Sequence, residues 1–522
     1  MRSSLLLFKI LGITTSLIVN LRNINVIKKA NPANKIINTQ SINNNWAVWS
    51  IDNEYYLTPP ENFIKGLGWK RAPAVGNGSY FRRTPGYSIL YYVSMKICGE
   101  KNGILAIVIF QNILFLLSIY CVFVIGNYIF SGKNYIKGLF SLMYTTLPFF
   151  YSYNFFTLTE SVSLFFSIFS FFFLIKALTS NKVKTKWLFY VLASIFIGYN
   201  TLTRPFSGLI FIALPYFIFI DNEILGIKHK FNTLAICLAF FLLPILIWTY
   251  RNYKVSGEIV VLEKYMHPQS LDRTKPEFSA FWRLTQCWGE DGGIFNSYFM
   301  PFFDTIMAGK SGDTQMKDII ERMNPKLWDV VSKEEFSASL DKYSEILIIQ
   351  KPYYDKQVAM PKKYFPLEYE LVKELGGYRE RYISANKLQH YILTPIKYYK
   401  DLMLNSYSAH MFIFQAQNIS GNNILKLFKG LMVFIYILMH LSAIFCFFGF
   451  VYKLYSRKEM SNEQKIVGFV SVLSLLFTTV LIFLFRAIEQ RYFHPYLIFI
   501  LVTFVVFFSA VFEFLKLKFK RA

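Results

Sequence analysis

The sequence predicts an all-α polytopic membrane protein with about ten or more transmembrane helices, on three observations. Hydrophobic residues make up 54% of the 522 residues and charged residues only 17%, whereas charged residues make up about a quarter of a soluble domain. The mean hydropathy is +0.34. The apolar residues form runs of about twenty, long enough as helices to cross about 30 Å of hydrocarbon. This composition excludes a soluble enzyme.

The apolar runs predict the order of the membrane spans. We expect spans at about 4–20, 103–131, 136–153, 161–178, 187–203, 206–221, 232–250, 424–452, 466–486 and 495–515. The chain then divides into a first transmembrane helix (1–20), a polar loop (21–102), a bundle (103–250), a second polar region (251–423) and C-terminal helices (424–522). A cleaved signal peptide is the alternative for the first run, although no small-residue cleavage site follows it.

The basic residues predict the orientation of the spans. Every second connection is rich in Lys and Arg, namely at Lys133, Lys137, Lys182, Lys184, Lys186, Lys228, Lys230, Lys453, Arg457, Lys458 and Lys465. The positive-inside rule places these connections in the cytoplasm, with both termini inside and both long polar stretches outside. The net charge of +24 is then explained by contact with anionic lipid head groups. We therefore expect membrane lipids, and no nucleic acid, among its partners.

The polar stretches are expected to contain interfacial helices. Residues 86–98 are apolar but too short to span comfortably, so we expect a helix along the outer interface with Tyr87, Tyr91 and Tyr92 at head-group depth. If this segment crossed, the basic connections that follow would face outward. In the second polar region two amphipathic helices are predicted, the later one broken at Gly376 and Gly377.

A set of charged residues lies, for its first four members, in the first polar loop and otherwise at the outer edges of the predicted spans. It comprises Asp52, Glu54, Arg82, Arg83, Glu160, Arg204, Arg251, Arg486, Glu489, Arg491 and His494. A single Arg at a helix end can simply reach for the interface, and Glu160 can stabilise the first turn of its own helix. Several Arg on one face, together with carboxylates, favour an anionic, phosphate-bearing lipid as the substrate. A carboxylate there could act as general base towards a hydroxyl.

The same residues carry a resemblance to a known family. DNEYY, NFIKGLGW and RRTPGYSILYYV resemble the first external loop of GT-C glycosyltransferases, in the family 39-like branch near protein O-mannosyltransferases and the lipid A aminoarabinose transferase. LTES, LTRP, WTYRNYKVSG and EQRYFHP follow in the family order. The resemblance covers the topology of the whole chain, and about forty residues in specific motifs. It implies a GT-C fold and the transfer of a sugar from a polyprenyl-phosphate-linked donor.

Residue roles follow from the resemblance. Asp52 would be the catalytic carboxylate, with Glu54 as the alternative because Asn53 separates two acids that are adjacent in many relatives. Asp52 keeps the family spacing to the aromatic Tyr55. Residues implied at the lipid phosphate and the donor are Arg82, Arg83, Glu160, Arg204, Arg491 and Tyr492. The reaction implied is inverting, which needs no covalent intermediate between sugar and enzyme.

The resemblance also implies partners and a location. The donor would be a polyprenyl-phosphate-linked sugar, and the acceptor a protein, lipid A or a glycan. No cofactor would be required, although a divalent cation is left open. The site would face the extracytoplasmic side of a bacterial inner membrane. Two rival interpretations remain: an O-antigen ligase or polymerase acting on polyprenyl-linked glycans, and a secondary transporter.

Overall fold

A computed structural model describes residues 2–30, 47, 52–70, 83–224, 226–257, 259–263, 274–356, 358, 360–404, 421–486 and 490–521. These residues form helices and turns without an extended strand, which confirms the predicted all-α fold. Within them, six helices are long and apolar enough to cross a membrane, and two shorter apolar helices lie at Leu6–Leu21 and Pro205–Ile220.

The membrane bundle is built from the following helices. Its first part contains α1 (Arg2–Ala30), α4 (Gly103–Ile129), α5 (Asn134–Thr146), α6 (Thr159–Thr179), α7 (Val183–Thr203), α8 (Ala213–Ile220) and α9 (Ile227–Ser256), with a 3₁₀ segment, Pro205–Ile212, before α8. Its second part contains α16 (Asn423–Tyr455), α17 (Asn462–Thr479), a π-helical turn (Val480–Phe485), a 3₁₀ segment (Gln490–Tyr496) and α18 (Leu497–Arg521).

Helix α6 lies at the centre of the first part, since 72% of its most apolar 18-residue stretch is buried inside the protein. Polar side chains join it to its neighbour: Ser163 donates a 2.6 Å hydrogen bond to Asn200 of α7, and Asn200 donates to Ser167 at 3.0 Å. Such bonds bring helices together in lipid, where apolar contact alone gives little preference between neighbours.

One predicted span is divided in the structure. Residues 136–153 were expected to form a single helix, but α5 ends at Thr146 and a 3₁₀ turn begins at Pro148. Proline disfavours the helical conformation of the residue before it, and Leu147 is accordingly extended. The aromatic residues that follow are buried against the bundle core, so this stretch is apolar without spanning as one helix.

A helical outer domain follows α9. It contains α10 (Pro276–Thr285), α11 (Gly292–Met307), α12 (Asp313–Arg322), α13 (Lys333–Asp355), α14 (Pro366–Ala385), a π-helical turn (Gln389–Leu393) and α15 (Thr394–Leu404). Its buried side chains form a core separate from that of the bundle.

The predicted break at Gly376 and Gly377 is wrong, because α14 runs through both glycines. Each glycine costs a helix about 1 kcal/mol relative to alanine. Leu371, Leu375 and Tyr382 of α14 are fully or almost fully buried in the core of the outer domain, and their burial outweighs that cost.

Two short helices, α2 (Asn53–Ile64) and α3 (Gly86–Cys98), cover the end of the bundle at which the outer domain begins. Helix α3 forms as predicted, but Tyr87 and Tyr91 are 0% and 1% exposed. These two tyrosines therefore pack against protein and do not face lipid head groups, while the predicted depth of α3 stays a prediction. Only Tyr92 of the three is partly exposed.

Candidate active site

Charged residues far apart in sequence meet at this end of the bundle. Asp52 precedes α2, Arg83 precedes α3, Glu160 begins α6, Arg204 follows α7, and Arg491 lies in the 3₁₀ segment before α18. We call these five residues the outer charge cluster. The sequence predicted that they lie on one face of the membrane. The structure joins them in two groups of ion pairs, Asp52 with Arg83 and Arg491, and Glu160 with Arg204.

Asp52 is the carboxylate shared by two arginines. Its Oδ2 accepts a 2.6 Å hydrogen bond from Nη1 of Arg491, and its Oδ1 lies 3.9 Å from Nη2 of Arg83. Asp52 occupies the N-cap position of α2, yet its side chain makes no capping hydrogen bond. An Asp at this position ordinarily caps its helix, so the direction of this carboxylate indicates a role other than helix stability.

The pKa of Asp52 is set by burial, by nearby arginine charge and by a hydrogen bond. Burial raises the pKa of the carboxyl, while the charges of Arg491, Arg83 and Arg204 and the hydrogen bond from Arg491 lower it; the net pKa lies below the ordinary value. Asp52 is therefore ionised at neutral pH, as a general base must be.

Arg83 has donor capacity left over. Its Nε is buried with no hydrogen-bond partner in the described part of the chain. The guanidinium lies 5.5 Å from the ring centre of Tyr55, and its ion pair with Asp52 is long. A buried donor without a partner is costly, and a phosphate oxygen would satisfy it.

Glu160 and Arg204 form a closed pair beside Asp52. Their side chains meet at 2.8 Å and are 3% and 8% exposed. Arg204 also donates to Thr159 at 3.2 Å, and its guanidinium lies 5.3 Å from the ring centre of Tyr492. Because Glu160 is almost fully occupied by this arginine, the geometry favours a positioning role for it.

Gly86 brings the cluster together. A Cβ at this position would lie 2.6 Å from the backbone of Leu202, so a side chain there would push α3 away from the end of α7. The hydroxyl of Tyr199 in α7 also donates to the Gly86 carbonyl at 2.7 Å. The Pro-Gly-Tyr motif after Arg83 therefore sets the distance between Arg83 and Arg204.

The structure places most of the residues implied by the sequence. Asp52, Arg83, Glu160, Arg204, Arg491 and Tyr492 come together, whereas Arg82 lies outside the described residues. Glu54 is half-buried in the first turn of α2. Two arginines lie beside Asp52, and the choice between Asp52 and Glu54 as the catalytic carboxylate stays a prediction.

Two residues of the site were missed from the sequence. Tyr56 is buried among these charges, and burial raises the pKa of its hydroxyl. Burial raises the pKa of Glu263, while the charge of Arg83 and a hydrogen bond with the Thr84 backbone lower it, with a net pKa above the ordinary value. The effect of Arg83 shows that Glu263 lies near it. Tyr56 follows an aromatic in the DNEYY motif and could have been singled out there. Glu263 stands in no motif.

The described residues contain no group of three or more His, Cys, Asp or Glu side chains placed to hold a metal ion. The sequence-based expectation that no cofactor is required, with a divalent cation left open, stays a prediction.

Comparison with known proteins supports the resemblance. Residues 82–248, about a third of the chain, match the family model of dolichyl-phosphate-mannose-protein mannosyltransferase. This segment contains Arg83, Glu160 and Arg204 but neither Asp52 nor Arg491. No curated protein matches the sequence.

A solved structure, ArnT from Cupriavidus metallidurans bound to undecaprenyl phosphate, aligns with 95% of this chain and 76% of its own. The identity is 13% and the TM-score 0.35, too low for any argument from that structure to this one. What stands is the family match: over residues 82–248 it confirms the resemblance to membrane-embedded GT-C glycosyltransferases that the motifs predict.

Proposed function

We propose that the protein transfers a sugar from a polyprenyl-phosphate-linked donor to an acceptor at the outer face of a bacterial inner membrane. The observation that carries the proposal is Asp52, an ionised carboxylate held by Arg491 beside an arginine with a buried free donor. The name of the matching family, a dolichyl-phosphate-mannose enzyme, adds support for a prenyl-phosphate donor.

The proposed reaction is a single inverting displacement. The acceptor hydroxyl oxygen forms a bond to the anomeric carbon while the bond between that carbon and the phosphate oxygen breaks. Asp52 accepts the hydroxyl proton, and the polyprenyl phosphate leaves with the bonding electrons. The charge that develops on the phosphate is stabilised by Arg83, since a guanidinium donates paired hydrogen bonds to phosphate oxygens.

The low pKa of Asp52 is compatible with this role. The arginines that lower its pKa are the groups that a donor phosphate would engage. A bound anion near Asp52 raises the pKa of its carboxyl, because a like charge disfavours ionisation. In the proposed scheme donor binding therefore makes Asp52 a stronger base at the step that needs one.

Donor specificity tests the proposal. Purified protein would be given one labelled sugar in three forms: on polyprenyl monophosphate, on a polyprenyl diphosphate glycan and on a nucleoside diphosphate. We expect transfer, with release of polyprenyl phosphate, from the monophosphate donor. Transfer from the diphosphate glycan alone would favour the ligase or polymerase interpretation. Transfer from the nucleotide sugar alone would contradict a lipid-linked donor.

A further inference from the structure

A second cationic site lies where the outer domain meets the bundle. A cavity of about 380 Å³ opens between α10, α14, the π-helical turn at Gln389–Leu393 and the π-helical turn that ends α17. Its lining consists of Arg283, Gln286, Arg379, His390, Tyr391, Phe483, Leu484 and Arg486. Arginines from three separate elements therefore line one small volume.

No carboxylate of the described residues forms an ion pair with these three arginines. Arg486 donates to the backbone carbonyl of Gln286 and, at 2.9 Å, to a ring nitrogen of His390. Burial and the nearby charges of Arg486 and Arg379 lower the pKa of His390 to about 4, so this ring is neutral at pH 7. The cavity is therefore positive, and no carboxylate of the described residues neutralises its charge.

The backbone at Arg486 is strained. Its φ is +48°, in the left-handed region, directly after the π-helical turn Val480–Phe485. A residue other than glycine in that region costs about 1–3 kcal/mol, and π-helical turns occur frequently at functional sites. From this position the guanidinium of Arg486 contacts Gln286 and His390 of the outer domain.

The rim of the cavity is apolar. Phe483 and Leu484 are 50% and 73% exposed at the end of an apolar span, and Tyr391 is 58% exposed on the opposite side. The same helical segment also exposes Leu388, Ile392 and Ile396. Exposed apolar residues at the end of an apolar span suit contact with lipid, which gives a ligand in the bilayer a route into the cavity.

We propose that this cavity binds the phosphate head group of a membrane lipid. Three arginines without carboxylate partners match the charge and oxygens of a phosphate, and the apolar rim matches acyl chains that remain in the bilayer. The site is distinct from the outer charge cluster, because none of its lining residues pairs with Asp52 or Glu160. It is independent of the proposed sugar transfer.

Binding of short-chain, fluorescent phosphatidic acid to the purified full-length protein tests this site. The variants are Arg379→Gln and Arg486→Gln, and the control is Arg381→Gln on the same helix, whose exposed side chain pairs with Glu335. We expect each test variant to weaken binding about tenfold, the value of one lost charged hydrogen bond. Arg381→Gln should bind as the wild type does, and Arg491→Gln shows whether the probe occupies the outer charge cluster instead.

Competition identifies the source of the phosphate. Unlabelled phosphatidic acid should displace the probe, whereas inorganic phosphate at the same concentration should not. Equal loss in Arg379→Gln and Arg381→Gln, or loss confined to Arg491→Gln, would overturn the proposal. Full displacement by inorganic phosphate would overturn the lipid as ligand. Arg379→Gln keeps the test valid if Arg486→Gln fails to fold, since Arg486 also holds His390 and Gln286.

Discussion

The two ends of α7 hold charge in different ways. Near its start, Lys186 donates to both oxygens of Asp221 at 2.9 and 2.8 Å, and both side chains are 2% exposed. Tyr190 adds a hydrogen bond to the same carboxylate. At the other end Arg204 is paired with Glu160, but next to them Asp52 and Arg83 are 16% and 33% exposed and only loosely joined.

The comparison separates structural from functional charge. The pair of Lys186 and Asp221 is closed and fully hydrogen-bonded, so it can hold two helices together but has nothing left for a ligand. In the outer charge cluster the ion pair of Asp52 and Arg83 is long, and Nε of Arg83 is buried with no hydrogen-bond partner among the described residues. We expect substitutions at the first end to alter stability, and those at the second to alter activity.

The largest expected effect is on stability. Lys186→Met leaves the carboxylate of Asp221 buried without its counter-ion, which costs about 3–5 kcal/mol. Arg491→Gln, at a side chain that is 24% exposed, should cost no more than about 1 kcal/mol. Thermal unfolding in detergent measures both. The double variant Lys186→Met with Asp221→Leu should recover most of the loss, and equal losses in the two single variants would break the comparison.

The next effect is on activity at Arg83. Arg83→Gln removes the guanidinium proposed to stabilise the leaving phosphate, so kcat/KM for the polyprenyl-linked donor should fall about a hundredfold. The melting temperature should stay that of the wild type. Arg381→Gln, which removes the same charge from the outer domain, is the matched control. A variant at Arg83 with normal kcat/KM would remove this residue from the reaction.

A pH profile sharpens the role of Arg491. The pKa of Asp52 lies below its ordinary value of 3.8 because arginine charge outweighs burial. A lowered pKa keeps the base ionised as the pH falls. We therefore expect kcat/KM of the wild type to stay constant on acidification until the pH approaches this lowered pKa. Arg491→Gln removes the largest of the lowering effects and leaves burial, which raises the pKa. As the pH is lowered, the variant should therefore lose its kcat/KM at a higher pH than the wild type does. The same acid-side pH dependence of kcat/KM in both proteins would contradict the assignment of Asp52.

The smallest effect concerns two glycines. A Cβ at Gly377 meets no atom within 4 Å, so Gly377→Ala should stabilise α14 by about 0.5–1 kcal/mol without changing activity. Gly86→Ala instead meets the backbone at Leu202 and should separate Arg83 from Arg204. Thermal unfolding and sugar-transfer assays on both variants test this difference. We expect an added methyl group to be accommodated at Gly377 in the outer domain and to disturb the site at Gly86.

Much of the fold could be predicted because lipid imposes simple rules. The apolar core of the bilayer requires apolar runs of a certain length, and basic connections favour one side of it. Both patterns can therefore be recognised in a single sequence. Where protein packs against protein the rules are weaker. Residues 149–151, after α5, are apolar because they are buried, and Tyr87 and Tyr91 pack against the bundle. Helix α14 continues through two glycines because its other face fills a core.

The site was predictable to the extent that topology places residues on one face. Asp52 and Arg491, 439 positions apart, were grouped because the first lies in a predicted external loop and the second at the outer edge of a predicted span. Their direct contact, the closed pairing of Glu160 with Arg204 and the participation of Glu263 depend on how the helices pack. The same holds for the Arg486 cavity, whose arginines come from the outer domain and from the bundle.

The most direct test of the account is transfer from a labelled polyprenyl-phospho-sugar by membranes that contain wild type, Asp52→Asn or Glu54→Gln. Both substitutions remove one negative charge, and the residues lie two positions apart. The account predicts that Asp52→Asn loses about 10²–10⁴-fold in rate, the value of a general base, at a normal level of inserted protein, while Glu54→Gln keeps its activity. Full activity of Asp52→Asn would contradict the account.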